Sequence, residues 1–270
     1  MTTHSAEGTR IRVVLFGGAY LQPGAQRFLV LIAEHPEMEL VGGFCEAQGQ
    51  GWRYRLGNLW RRRGFLALPV LLLEGLDWLR RFLRNPVEGL RFERGLRQAM
   101  RKAQTVPDIH APDVLARVQA LAPDVGVIYG APVLRPELFE IPQLGTLGIH
   151  HGRVPDYRGK KTTFWEIFNG ERVAGVTIQR VNKGIDTGEI VRRGEVEIRN
   201  RGYTAVERDT EALGLSLFEE AILDLYHGRA TFTPQGPRPT GSRLYRQPGP
   251  KDLLQLWFRT FSRRLGLGPR

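Results

Sequence analysis

The sequence has very little cysteine and no long apolar run. Cys45 is the only cysteine in 270 residues, which excludes a disulfide within the chain and a zinc site built from several cysteines. The longest apolar stretch, residues 64–73, is interrupted by Pro69 and is much shorter than the roughly 20 residues needed to span a bilayer. Residues 1–10 are polar and lack the apolar core of a signal peptide. We therefore expect a cytoplasmic protein without a transmembrane helix and without a metal centre.

Acidic residues are outnumbered by basic ones, and the net charge of +11 is concentrated in two segments. Residues 52–104 contain 13 Lys or Arg against 4 Asp or Glu, and residues 251–270 contain 5 against 1. The remainder of the chain is close to neutral, and its 41% of hydrophobic residues favours a packed core over a disordered chain. No recognised nucleic-acid-binding motif accompanies the basic charge, so no nucleic-acid partner is expected.

Alternating apolar strands and amphipathic helices predict an α/β fold, doubly wound around a mostly parallel sheet. Residues 11–16 form a β-rich apolar run, residues 24–35 have helical periodicity, and residues 38–45 form a second run. Gly17-Gly18 predicts a turn that lines a cleft, but the GxGxxG fingerprint of dinucleotide-binding proteins is missing. The pattern resumes with helices predicted at 112–121, 164–169 and 204–227 and strands at 125–129, 147–150, 173–181 and 189–198.

Two basic segments stand apart from this pattern, a helical insert at 49–104 and a strap with a terminal helix at 231–270. In the insert, a second basic helix is predicted over 90–102, and an earlier helical face contains Leu72, Leu76, Leu79 and Leu83. In the tail, one helical face contains Leu254, Trp257, Phe258, Phe261 and Leu265. Two interpretations stay open: helices packed on the core or in a homodimer contact, or an amphipathic surface that binds anionic membrane through 52–104 and 251–270.

Two polar clusters have the chemistry of an active site. His150 ends an apolar strand and opens a loop containing Gly and Pro, and the carboxyl ends of strands in open α/β sheets face the ligand crevice. An imidazole there can transfer protons near neutral pH. Asp186 lies in a tight loop between Gly184 and Gly188, where it can orient an imidazole or position a water. Each residue alone is more often structural, and His151 is interpreted as a loop residue.

Three runs resemble the folate-dependent formyltransferase family, and together they suggest one catalytic domain. They are GIHHGRVPDYRG at 148–159, FWEIFNGE at 164–171 and GVTIQRVNKGIDTG at 175–188. The likeness extends roughly over 10–48 and 105–230, so it implies a domain at 10–230 that is interrupted by the insert. Family members transfer a formyl group from 10-formyltetrahydrofolate to an amine, and that folate is the co-substrate which the resemblance implies here.

The resemblance also implies roles for individual residues. His150 matches the family's catalytic histidine, which moves protons and stabilises the tetrahedral intermediate. Asp186 matches the carboxylate that sets the state of this histidine and organises a water. The implied folate contacts are Ala131, Pro132, Val133, Leu134, Gly152, Arg153, Val154, Pro155 and Ile185.

Gly148 departs from the family pattern, because an Asn that donates to the developing oxyanion is expected two residues before the histidine. Losing such a donor typically costs about 10²–10³-fold in rate. His151, Arg153 and Lys160 are the candidates in the sequence that could supply the missing hydrogen-bond donor from another position. The alternatives are a slow enzyme, altered chemistry, or a non-catalytic relative that acts as a binding or scaffold protein.

The acceptor expected from the sequence is a small molecule with an amine, such as an amino sugar on a nucleotide or lipid carrier. The basic loop that includes Arg153, Arg158, Lys160 and Lys161 suits a phosphorylated acceptor. Only about 40 residues follow Gly228, too few for the C-terminal barrel of the methionyl-tRNA enzymes, so a tRNA acceptor is disfavoured. The basic segments add an expected peripheral location at the inner membrane face.

Overall fold

The computed structural model describes residues 10–17, 23–46, 85–199, 201–237 and 244–264, with side chains to residue 259 in the last range. The chain divides into two compact units, Met1–Gln143 and Leu144–Arg270. The turn predicted at Gly18, the leucine face of the insert and Leu265 lie outside the described residues. No described helix has the combined length and apolarity needed to cross a bilayer.

The first unit is built from four parallel strands with helices between them. Its strands are β1 (Ile11–Gly17), β2 (Met38–Glu46), β3 (Ala103–Val106) and β4 (Val125–Tyr129), in the order β3-β2-β1-β4. Its helices are α1 (Pro23–Glu34), α2 (Pro86–Met100), α3 (Pro112–Ala120) and α4 (Pro136–Phe139). The β-branched and aromatic side chains of β1 are buried, as expected for a strand covered on both faces.

The described part of the basic insert packs on the sheet unit through α2. A Cβ added to Gly95 would lie 3.2 Å from Val30 on α1, and Arg91 pairs with Glu34 at 3.3 Å. The predicted second basic helix is therefore confirmed, and this helix packs on the core. The predicted insert boundary at 104 is wrong by two residues, because β3 begins at Ala103 and pairs with β2. This edge strand has four residues and buries only Val106, so it gives no apolar signal.

The second unit contains three antiparallel strands, β5 (Thr146–His150), β6 (Val173–Arg180) and β7 (Ile190–Glu197), in the order β5-β6-β7. Its helices are α5 (Thr162–Asn169), α6 (Tyr203–Tyr226) and α7 (Pro250–Arg264). The helices alternate with strands along the chain, and parallel pairs predominate over the seven described strands, so the predicted α/β class is confirmed. The helix predicted over 204–227 is confirmed as α6, and it is followed by Gly228, whose φ of +69° is typical of a residue that ends a helix.

The strap after α6 is extended where it is described, as predicted. Thr233 forms a bridge with Ile190, and Tyr245 forms one with Gly159. The helix α7 then packs on an aromatic cluster through Leu256, which is 8% exposed. Its predicted apolar face points the other way, since Leu254, Trp257 and Phe258 are each more than half exposed.

Candidate active site

His150 and Asp186 meet although they come from different parts of the sequence. His150 is the last residue of β5, and Asp186 lies in the loop that joins β6 to β7. The Nδ1 atom of His150 is 3.4 Å from Oδ1 of Asp186, and both side chains are largely buried. The pair expected from sequence spacing is therefore close enough for a charge interaction.

Three neighbours hold Asp186 in place. The backbone amide of Gly159 donates to its Oδ2 atom at 2.9 Å, and Nε2 of Gln179 donates to Oδ1 at 3.3 Å. Nε2 of Gln235, on the strap, lies 3.1 Å from the backbone carbonyl oxygen of Asp186. Asp186 itself has a φ of +51°, in the left-handed region that few residues other than glycine adopt. The carboxylate is therefore fixed by its surroundings at some conformational cost.

The ring of His150 has an oxygen acceptor at each nitrogen. Its Nε2 atom is 2.6 Å from the carbonyl oxygen of Tyr157, which can only accept, so Nε2 bears a hydrogen. The other nitrogen faces the carboxylate of Asp186. The carboxylate beside Nδ1 can stabilise positive charge on the ring when this nitrogen takes up a proton.

Gly152 is confined against His150. A Cβ at this position would lie 2.8 Å from Nε2 of His150 and 2.6 Å from Oγ1 of Thr162, closer than real Cβ contacts allow. Gly152, the first residue of the predicted folate loop, is thus adjacent to His150, and a side chain at position 152 would displace the imidazole.

The other predicted folate contacts fall into two groups. In the second unit, Val154 is buried and joined to Pro155 by a cis peptide bond, and Ile185 is 46% exposed next to Asp186. In the first unit, the segment 131–134 follows β4, and its Val133 is exposed while Leu134 is buried. Their contact with folate stays a prediction.

Over the described ranges, no group of three or more His, Cys, Asp or Glu side chains could hold a metal ion.

Arg153 contacts two acids, the buried Glu166 and the partly exposed Glu171. Its Nη2 atom is 2.6 Å from Glu171, and its backbone amide and Nε atom both contact Oε1 of Glu166. Burial raises the pKa of Glu166 to about 7, although hydrogen bonds from the amides of Arg153 and Gly175 act in the opposite direction. The guanidinium therefore stabilises a polar interior and is not directed at His150.

His151 lies on the opposite face of β5 from His150. Its Nε2 atom would be 3.5 Å from a Cβ placed on Gly214 of α6. Burial lowers the pKa of His151 to about 4, helped by repulsion from His150 and Lys161, while Glu207 acts in the opposite direction. It is therefore neutral near pH 7. The hypotheses that His151 or Arg153 replaces the missing Asn are therefore not supported. The third candidate, Lys160, is exposed.

Sequence reasoning missed the residues that surround the pair. Gln179, Gln235 and Gly159 contact Asp186, and Tyr157 contacts His150 through its backbone. The polar residues at alternate positions of β6 gave one usable signal, since Thr177 and Gln179 interrupt an apolar strand on one face. The backbone contacts have no side-chain signature and depend on the folded loops.

Part of the chain is similar to known proteins. The family model described as Formyl transferase matches residues 90–217. A methionyl-tRNA formyltransferase from Chloroflexus aggregans is 38% identical over 127 residues, covering 46% of this chain and 41% of that protein. One from Synechococcus sp. (strain JA-3-3Ab) is 36% identical over 128 residues, covering 46% of this chain and 39% of that protein. The chain therefore spans less than half of the length of these relatives.

Solved structures share the fold at low sequence identity. Glycinamide ribonucleotide transformylase 1 from Symbiobacterium toebii matches with a TM-score of 0.57 and 16% identity, covering 84% of this chain and 96% of that one. A sugar N-formyltransferase from a Shewanella species matches with a TM-score of 0.54 and 13% identity, covering 91% of this chain and 86% of that one. The family match begins at residue 90, so it includes most of α2, which the basic charge pattern had placed in the insert.

Proposed function

We propose, from the premise that this chain belongs to the formyl transferase family through residues 90–217, that it transfers a formyl group from 10-formyltetrahydrofolate to the amine of a small acceptor. The observation that supports this most strongly is the buried contact between His150 and Asp186, 3.4 Å apart at the end of β5. The residue types and their spacing in the sequence select His150 and Asp186 as well, without knowledge of the contact.

The chemistry assigns separate tasks to the two residues. The acceptor nitrogen attacks the formyl carbon, a C–N bond forms, and the carbonyl oxygen becomes negatively charged in a tetrahedral intermediate. His150 accepts the proton that the acceptor nitrogen loses and returns a proton to the departing folate nitrogen as the old C–N bond breaks. Asp186 keeps the imidazole oriented and stabilises its charged form, a role that its contacts to Gly159 and Gln179 support.

The acceptor in this proposal is phosphorylated, an amino sugar, or both. Among the basic loop residues, Arg153 is neutralised by acids, and Arg158 donates to Gln235 at 2.8 Å. Lys161 pairs with Glu207 at 2.9 Å while both remain partly exposed, and Lys160 is exposed with no acidic partner among the described residues. We therefore assign the acceptor's phosphate to Lys160 and Lys161, and Lys160→Ala should raise the KM for such an acceptor.

Turnover measurements test this function directly. The full chain is mixed with 10-formyltetrahydrofolate and a panel of amino-sugar nucleotides, with methionyl-tRNA as a separate arm, and deformylated folate is measured. Turnover with an amino-sugar acceptor that His150→Ala abolishes supports the proposal. Turnover with methionyl-tRNA alone would replace the acceptor class, and full activity of His150→Ala would remove this residue from the mechanism.

A non-catalytic binding or scaffold protein is the second candidate function, and Gly148 is the observation that favours it. Glycine offers no side chain to the reacting carbonyl, so a chain that kept the fold and lost the chemistry would show this change. Folate binding without turnover for any acceptor would support this candidate, and folate-dependent turnover would exclude it.

A cytoplasmic protein bound to the inner membrane face is part of the same proposal. Four large apolar side chains of α7 are more than half exposed: Leu253, Leu254, Trp257 and Phe258. Segment 251–270 has a net positive charge, so anionic lipid would be attracted and a second copy repelled. The chain should bind phosphatidylglycerol vesicles at low salt, and Trp257→Ala should weaken binding while Leu244→Ala, a change at a 44% exposed position outside both basic segments, should not. Absence of vesicle binding would overturn this part.

A further inference from the structure

The antiparallel strands β5 and β6 share one face on which His150 lies beside an open position. The strand register pairs His150 with Thr177 and Gly148 with Gln179. Residues directly paired across strands, and residues two apart along a strand, have side chains on the same face. Gly148, His150, Thr177 and Gln179 therefore share one face, and Gln179 is the side chain directly opposite the glycine.

The carboxamide of Gln179 is buried and held in one orientation. The residue is 7% exposed, its Oε1 atom accepts from Gln235 at 3.0 Å, and its Nε2 atom donates to Oδ1 of Asp186 at 3.3 Å. The same carboxylate oxygen is 3.4 Å from Nδ1 of His150. Gln179 and His150 thus meet at one atom of Asp186.

The second N–H group of this carboxamide is available to a ligand. A primary amide has two N–H groups, and the described residues provide an acceptor for Nε2 only in Asp186. Buried donors are normally satisfied, so an oxygen from a bound molecule would complete the set. Space for it is present beside Gly148, because a Cβ added there would have Val181, at 3.5 Å, as its one neighbour within 4 Å.

Formyl transfer needs a donor at this place, because a tetrahedral intermediate places negative charge on the former carbonyl oxygen. We propose that Nε2 of Gln179 donates a hydrogen bond to that oxygen, so that a donor on β6 performs the task which the Gly148 position on β5 cannot. The inference rests on the proposed function and deepens it. Gln179 is then a catalytic residue, and its contact to Asp186 aligns the amide with His150.

The first test removes the donor. Gln179→Leu should lower kcat for formyl transfer by roughly 10²–10³-fold, while KM and the folate dissociation constant change much less, because the hydrogen bond is strongest to the charged oxygen of the transition state. Gln119→Leu, the same change at an exposed position of α3, should have wild-type kinetics. Where Gln179→Leu fails to fold, Gln179→Met keeps the length of the side chain and has no N–H donor.

The second test separates donation from positioning. Introducing Gly148→Asn into the Gln179→Leu protein places an amide on the neighbouring strand and should restore a large part of kcat. If Gln179 acted only by orienting Asp186, no such rescue would occur, and the proposal would be overturned. Full activity of Gln179→Leu would also overturn it while leaving formyl transfer intact. A wild-type protein that binds folate without turnover would instead remove the proposed function, and this inference with it.

Discussion

Asp186 accepts a hydrogen bond from the backbone amide of Gly159 at 2.9 Å, which joins the loop after β5 to the loop after β6. The other carboxylate oxygen faces His150. Oδ2 therefore anchors the side chain to Gly159, and Oδ1 lies between the imidazole and the carboxamide of Gln179. The pair stays in contact because the two loops are tied together, even though the backbone of Asp186 is in the left-handed region.

Asp186→Asn tests the charge of this residue without removing its anchor. Asparagine tolerates the left-handed conformation and can still accept from Gly159, so the fold should persist. The charge that stabilises a protonated His150 is lost, and kcat should fall by about 10²–10⁴-fold. Kinetics and thermal melting of both proteins would show this. Asp113→Asn, at an exposed position of α3, is the matched control, and equal kcat in the two variants would contradict the assignment.

Sequence patterns predicted the elements that depend on long apolar runs and the residues that depend on motif spacing. The strand that ends at His150 and the turn that contains Asp186 were both found this way. Gln179 was missed because its role depends on the register of β5 against β6, which periodicity along one strand does not specify. The orientation of α7 was also missed, since Leu256 is buried while the equally apolar Leu253 and Leu254 on the same helix are exposed.

Gly152→Ala tests the close packing around the histidine. The added methyl group would lie 2.8 Å from Nε2 of His150 and would displace the ring or its loop. We expect about 1–3 kcal/mol of destabilisation, as for other additions to tightly packed sites, and reduced kcat. Gly148→Ala is the matched control for stability because its new contacts are ordinary. Denaturant unfolding that gives equal stabilities would contradict the packing argument.

Leu256→Ala tests which face of α7 packs on the aromatic cluster. Leu256 is buried against residues such as Tyr157 and Trp165, so truncation should cost about 2–5 kcal/mol in unfolding free energy. Leu254→Ala, the same change at a position that is 56% exposed, should have a stability close to that of the wild type. The reverse order of stabilities in urea unfolding would show that the helix packs through the predicted face.

His151→Gln tests how the neutral imidazole that lies beside α6 affects the pH dependence of stability. The pKa of His151 is lowered by burial to about 4 from its ordinary 6.5, so between these values the unfolded chain binds more protons than the folded one. His151 therefore contributes stability above pH 6.5 that is lost as the pH falls towards 4, on the order of 2 kcal/mol after allowance for its partial exposure. Relative to His151→Gln, the wild type should lose stability over this range, and parallel pH curves would contradict the prediction.

Glu166→Gln should show the opposite slope in nearly the same range. Burial raises the pKa of Glu166 from 4.5 to about 7, so between these values the folded state keeps a proton that the unfolded chain has released. The wild type should therefore lose stability relative to Glu166→Gln as the pH rises from 4.5 to 7, by about 3 kcal/mol. Because His151 and Glu166 act in opposite directions, the wild-type curve alone can look flat, and the informative measurement is the difference between wild type and each variant. Glu137→Gln, an exposed change on α4, is the control, and a Glu166→Gln difference that stays constant with pH would show that Arg153 and the amide of Gly175 keep the carboxylate ionised throughout.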